Sequence, residues 1–179
     1  MTENEQYKIL LPLIRGGLAL RGVQNATVFQ GYQPTQQGAP SGAFVYLFKL
    51  PEVPRGQVYR DTVYEQASGT MVDKEIQKYE VSYQVNTQFI QDPKNTSTLT
   101  AGDLLKKVHQ VMQSSATIST LLASGIGILR VNELRNTPFV NDKNRHEFNG
   151  SFDFTITYDE LWVGTAPVVE TFEYNINRV

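Results

Sequence analysis

The chain of 179 residues and 20.2 kDa is long enough for one domain with a sizeable core, and 40% hydrophobic with 11% aromatic content is the composition of a folded chain. A formal charge of −2, from 16 basic and 18 acidic residues, argues against a basic nucleic-acid binder, and the lack of cysteine excludes disulfide frameworks, thiolate metal sites and a cysteine nucleophile. No apolar run approaches the roughly 20 residues that span a bilayer, and the acidic, polar MTENEQYK start does not read as a signal peptide, so a soluble chain without a membrane partner is expected.

The first element in chain order is a helix over 5–22, where Ile9, Leu10, Leu13, Ile14, Gly17 and Leu18 make one apolar stripe. Pro12 sits in its first turn or kinks it, and the Gly16-Gly17 pair points to close packing against another element. A short strand near Ala26–Phe29 precedes a Gln-, Gly- and Pro-rich loop that extends to residue 43. FVYLFKL (44–50) reads as a strand buried on both faces, and PEVPRG (51–56), with two prolines, as a turn or linker. Segments 57–66 and 71–90 are long strands flanking a hairpin turn at 67–70. In the second, Tyr79, Val81, Tyr83, Val85, Thr87 and Phe89 alternate with polar residues, the cleanest strand signal in the chain.

After a polar loop at 92–99, Thr100 caps a helix with Asp103 three residues on. Leu104, Leu105, Val108, Val111 and Met112 form its apolar face, resumed by Ile118, Leu121 and Leu122, as one long helix or two short ones. Strands follow at 127–134 and 147–163, joined by a loop at 136–145, and a last strand at 168–176 closes the chain. This order is α+β: a mostly antiparallel sheet flanked by an N-terminal helix and a central helix, with a long projecting β-hairpin arm. The chain is expected to form a single domain over 1–179, its arm at about 51–80 and its C-terminal strand within 168–179.

Catalytic chemistry finds little support. The glycine pairs lack the Lys-Ser/Thr of a P-loop and the strand-to-helix setting of a dinucleotide fingerprint. His109 falls away from the apolar stripe and reads as solvent-facing; His146 has Glu147 beside it but no second ligand at a zinc spacing. No nucleophile elbow accompanies either. Asp159 and Glu160 are adjacent on a strand and point to opposite faces, so the late carboxylates read as a solvated acidic edge. No catalytic, cofactor-binding or metal-binding residue is assigned, no cofactor is expected, and the chain is expected not to be an enzyme.

The arm carries Arg55, Tyr59, Arg60, Tyr64, Lys74 and Lys78, interleaved with Asp61, Glu65, Asp73, Glu75 and Glu80. Basic and aromatic residues suit stacking on single strands, but the balancing acids make a mixed-charge subunit-interface arm the better reading of those six residues. Charged residues form only 19% of the chain against the usual ~25%, the difference being made up by 14 Gln, 11 Asn and 16 Thr. A charge-poor, amide-rich surface favours an assembly component, because interface cores are depleted of charge.

The N-terminal helix, FVYLFKL, YEVSYQVNTQF, the helix TAGDLLKKVHQVMQS, GILRVNEL and the closing HEFNGSFDFTITYDE together resemble the tail-terminator and neck-terminator proteins of tailed bacteriophages. In that family the closing stretch carries an acidic or aromatic residue, a small-residue step and an F-D-[FV]-[TR]-[IV] strand. Glu147, Phe148, Gly150, Phe152, Asp153, Phe154, Thr155 and Ile156 stand in those places. The loop at 31–42 and the tail at 168–179 depart from the pattern.

The resemblance implies a structural virion protein of the neck and tail, assembled in the host cytoplasm. It would cap the tail tube as a homo-oligomeric ring, a hexamer, and end tail polymerisation. Its partners would be the tube protein, the sheath, and the head-completion, connector and portal assembly, with DNA passing through the channel unbound. A neighbouring collar, tube or baseplate subunit is the alternative within that class, and a small-molecule or nucleic-acid-binding module the alternative outside it.

Overall fold

The computed structural model of the chain describes residues 1–31, 42–89, 99–140 and 146–166. Most of the predicted Gln/Pro/Gly loop, nearly all of the loop at 92–99 and the strand at 168–179 lie outside these residues, as do the side chains of His146 and Glu147.

Helix α1 (Glu3–Leu20) begins at a capping box: the Thr2 hydroxyl accepts from the Glu5 amide at 3.3 Å, and the Glu5 carboxylate accepts from the Thr2 amide at 2.7 Å. The helix therefore starts two residues earlier than its apolar stripe suggests, and Pro12 lies inside it on the exposed side. Gln6, Tyr7, Leu10, Ile14 and Leu18 form the buried stripe. At the other end Gly22, at φ +81°, closes a Schellman turn in which the amides of Gly22 and Val23 donate to the carbonyls of Ala19 and Leu18.

Strand β1 (Thr27–Gln30) pairs in parallel with β2 (Ala43–Glu65), and every other pairing in the sheet is antiparallel. β2 turns at 66–69 into β3 (Thr70–Phe89), with Gly69 at φ +67°. The expectation of a turn or linker at 51–56 is corrected: β2 runs through it, taking up PEVPRG in irregularities at Lys49/Glu52 and Arg55/Tyr59. Both prolines are tolerated because β1 covers β2 only over 44–47, leaving the rest of that edge without a ladder neighbour among the described residues.

Helix α2 (Ala101–Met112) carries the predicted capping box of Thr100 and Asp103. Ser114 ends it and caps α3 (Ser115–Ala123), so the two-helix alternative holds. Strands β4 (Ile126–Val131), β5 (Arg135–Val140) and β6 (His146–Ala166) complete the chain. The loop expected at 136–145 is corrected over its first part, where β5 pairs with β6. Pro138 gives that segment a loop-like look, but an edge strand with one neighbour has an amide to spare.

The sheet order is β1-β2-β3-β6-β4, with β5 also on β6. One face is the core: Val45, Leu47, Val81, Tyr83, Val85, Phe152, Phe154, Ile156 and Tyr158 alternate inward and meet α1, α2 and α3. Tyr83 stacks on Phe154 at 5.4 Å and meets Tyr7 edge-on at 5.8 Å. On the open face Ser82, Gln84, Asn86 and Gln88 are half-buried, and the hydroxyls of Ser82 and Thr155 bond at 2.9 Å. The solvent-facing reading of His109 is corrected. Its ring is half-buried edge-on to Phe152 at 5.2 Å, with Nε2 3.2 Å from the Asn132 carbonyl.

Only one glycine of the Gly16-Gly17 pair is needed for packing. A Cβ on Gly17 would come within 2.5 Å of Val111 on α2, whereas a Cβ on Gly16 meets nothing within 4 Å. Gly17→Ala is therefore expected to cost about 1–3 kcal/mol by overpacking. Gly16→Ala is expected to add about 0.5–1 kcal/mol by removing backbone freedom from the unfolded chain. Denaturant midpoints of the two variants, with opposite signs, check the assignment.

Candidate subunit interface: a three-stranded arm

The helices cover only part of the sheet. Tyr158 is the last buried residue of β6, and β2 is exposed throughout 53–65. Beyond these points the chain continues as an arm of three strands: β3 in the middle over 70–79, the distal half of β2 on one side, and Asp159–Ala166 of β6 on the other. A two-stranded ribbon is marginal in water, and the third strand gives the arm a second ladder.

Register sorts its side chains. On the open face Tyr59, Ile76 and Leu161 lie in one cross-strand row and Val63, Val72 and Thr165 in another, with Asp61, Lys74 and Val163 between them. Tyr59 is 60% exposed, Leu161 56% and Val163 53%, so this is an apolar surface facing water. On the helix-side face Trp162 (60% exposed) stands beside Glu75 and lies over Gly164, whose absent Cβ would be 2.3 Å from the indole.

Of the six residues expected at an interface, Arg55, Tyr59, Lys74 and Lys78 share the open face, and Arg60 and Tyr64 share the other. Arg60 Nε bonds Glu75 Oε1 at 2.8 Å and Arg55 Nε bonds Glu80 Oε2 at 2.9 Å, while Lys78 lies 3.9 Å from Asp159. The arm's charges are thus largely paired within the arm, which leaves its apolar rows as the unsatisfied surface. Leu161, Trp162 and Val163 escape a sequence reading of the arm because their pairing with β3 is with residues far away along the chain. Their only local signal is three consecutive large apolar residues breaking the alternation of 152–158.

A polar cluster fixes the root of the arm. Glu52 enters from β2 and accepts a hydrogen bond from the Tyr158 hydroxyl and another from Lys49 at 2.8 Å; Tyr158 stacks on Tyr79 at 5.7 Å. The Tyr83 hydroxyl donates to Gln6 of α1, and the N-terminal amine lies 3.5 Å from Glu160. Partial burial raises the Glu52 pKa, but the bonds from Lys49 and Tyr158 and the Lys49 charge outweigh it and hold the carboxyl below the usual range. Burial, then the bond to Glu52, pushes the Tyr158 hydroxyl up; burial does the same for Tyr83.

Among the described residues no group of three His, Asp or Glu could hold a metal ion, and no helix is long and apolar enough to cross a membrane.

A family model described as E217 gateway protein gp29 matches residues 5–168. Among solved structures, the sheath/tube terminator of the PVC extracellular contractile injection system, seen by cryo-EM in the extended state, is similar in fold at a TM-score of 0.50 and 13% identity. All of this chain aligns, spanning 64% of the length of that one. No curated protein matches.

The root makes stability acid-sensitive in a defined direction. A carboxyl whose folded pKa is depressed contributes stability that is complete above its unfolded value and is lost as pH falls through the folded value. Thermal melts of the wild type should lose this increment below the ordinary carboxylate range of about 4–4.5, and Glu52→Gln should flatten that part of the profile. Tyr158→Phe should cost about 0.5–1.5 kcal/mol at neutral pH, as the loss of one hydrogen bond.

Proposed function

The chain belongs to the E217 gp29 gateway-protein family of phage neck and tail structural proteins, and from that premise we propose that it caps the tail tube as a closed ring and ends tail polymerisation. In this reading the ring is a homohexamer around the DNA channel. Its opposite side joins the head-completion and portal assembly, and the tube and sheath are its tail-side partners. It carries out no catalysis. Its place is the virion neck, reached after assembly in the host cytoplasm.

The observation that carries the reading is the arm: a three-stranded projection with exposed apolar rows and largely internally paired charges. Such a surface gains by burial against a neighbouring copy, at roughly 25 cal/mol per Å² of apolar area. A heterologous contact between an arm and the flank of the next copy closes into a ring when the rotation permits.

Native mass spectrometry of the purified chain, alone and with purified tail tubes, tests the ring. Leu161→Ser with Val163→Ser should leave the circular dichroism of the folded domain intact and abolish the oligomer, because both side chains are exposed and outside the core. Trp162 is the sole tryptophan, so its emission should shift to the blue as the arm is buried in the wild type and remain red in the double variant. An oligomer unaffected by that variant would exclude the arm from the interface.

The channel reading has its own test. Phosphate contacts add affinity and salt dependence, which would retard passing DNA. With 18 acids against 16 bases, and Lys107 engaged at 2.8 Å with the Arg21 carbonyl, no cluster of free cations is apparent among the described residues. Anisotropy titrations with duplex DNA at physiological salt should show no binding into the micromolar range. Tighter, salt-sensitive binding would favour the nucleic-acid-binding alternative.

A further inference from the structure

A groove of about 460 Å³ lies between α1 and β1, its apolar part lined by Tyr7, Leu11, Pro12 and Val28 and its rim by Lys8 and Arg15. Both cations are exposed, and neither is in an ion pair among the described residues. Glu5, an acid that feels the Lys8 charge, is already held in the capping box of Thr2. Lys8 and Arg15 stand seven positions apart on the helix, about 10.5 Å, with Leu11 and Pro12 between them. On the open face of the arm Tyr59, Asp61, Val63 and Glu65 stand in line along β2, opposite Ile76, Lys74, Val72 and Thr70. Tyr59 is 60% exposed and Val63 42%. Asp61 and Glu65 are exposed as well, and among the described residues neither is in an ion pair. Glu65 accepts a bond from the Ser68 hydroxyl at 2.8 Å, and Lys74, although opposite Asp61, makes no ion pair with it. The two acids are four positions apart, about 13 Å, with Val63 midway. Both surfaces therefore run charge, apolar, charge, with opposite signs and similar spacing.

We infer that the open face of the arm tip of one copy docks in the α1 groove of a second copy, with Val63 on Leu11 and Pro12 and with Asp61 and Glu65 against the two cations. The inference rests on the ring reading for its second copy, and names the surface that receives the arm. Burial of the apolar residues supplies affinity, while complementary charges fix the register and reject misaligned contacts. Arm tip and groove are different patches of one chain, so the contact is heterologous, as a ring of more than two copies requires.

The chain's own arm does not reach its own groove. The Tyr7 hydroxyl donates to the Leu47 carbonyl at 3.5 Å, and Leu47 pairs with Val85, whereas Val63 pairs with Val72. From Val72 to Val85 is a difference of 13 positions along β3, about 43 Å at the rise of a strand. The ladder between β3 and β6 runs through that whole stretch without a bulge and holds the two ends apart. An arm seated in the groove must therefore come from another molecule.

Charge reversal in the full-length chain tests the pairing. Lys8→Glu with Arg15→Glu, and separately Asp61→Lys with Glu65→Lys, should each keep the wild-type circular dichroism and assemble at least about tenfold more weakly at low salt, read by native mass spectrometry. Mixed in equal amounts, the two variants should assemble again in a one-to-one ratio, because every contact of an alternating ring then joins opposite charges. The chain has no cysteine, so engineered thiols report without background. Leu11→Cys and Val63→Cys, mixed under mild oxidation, should form a covalent dimer faster than either variant alone. Rings unaffected by both reversals, no rescue in the mixture, no covalent dimer while the ring forms, or a disulfide within one chain of the Leu11→Cys/Val63→Cys double variant overturns the inference and leaves the ring reading standing. A covalent dimer from the mixed thiol variants, with no closed ring under any condition, supports the docking and overturns the ring. Absence of both overturns both.

Discussion

The ladder between β3 and β6 sets the geometry of everything else. It runs from Thr87–Gly150, beneath α2, to Met71–Ala166 at the tip of the arm, without a bulge. Side chains in a strand alternate strictly, so one residue of slip anywhere along it would turn Tyr83, Val85, Phe152 and Phe154 out of the core. Core packing therefore fixes the register, and the same register decides which residues the arm presents on each face. β2 accommodates this frame by taking up its irregularities itself, at Lys49/Glu52 and Arg55/Tyr59.

Where the helices end, polar contacts take over from apolar ones. The two sides of the arm's root are joined by the Glu52–Tyr158 bond, and α1 reaches it through Gln6 and the N-terminal amine. At the other end of α1, Arg21 bonds the carbonyls of Gly17 and Gln110, while Lys107 of α2 bonds the carbonyl of Arg21. Cations at a helix C-terminus satisfy carbonyls that the helix leaves without partners, and here they also tie α1 to α2. The first helix is thus clamped at both ends, so the direction of the arm is referred to the whole core rather than to one turn.

Much of this was legible where the physics is local. The alternation of 79–89 and the Thr100–Asp103 box translate directly into β3 and α2. The Thr2–Glu5 box was equally present in the sequence, but the apolar stripe drew the helix start to residue 5. Segments 51–56 and 136–140 look like loops because Pro and Gly report local preference, whereas strand pairing at a sheet edge is decided by distant partners. The sequence pattern places His109 toward solvent because hydropathy counts imidazole as polar, whereas its ring packs edge-on against Phe152. The third strand of the arm could not be read at all, since nothing near Leu161 encodes that Ile76 lies beside it.

The two borders of the arm are chemically unequal. Along β2, Pro51 and Pro54 lack amide hydrogens, and the irregular stretches break the spacing of those that remain. Along β6 from Asp159 to Ala166 the backbone is regular, proline-free and without an outer neighbour among the described residues. Edge-to-edge growth needs a competent border on each participant, and a blunted border is a common defence against fibrils. The blunting is confined to the root, because Tyr59–Glu65 of β2 is as regular and proline-free as the β6 border, so only the outer half of the arm presents two competent borders.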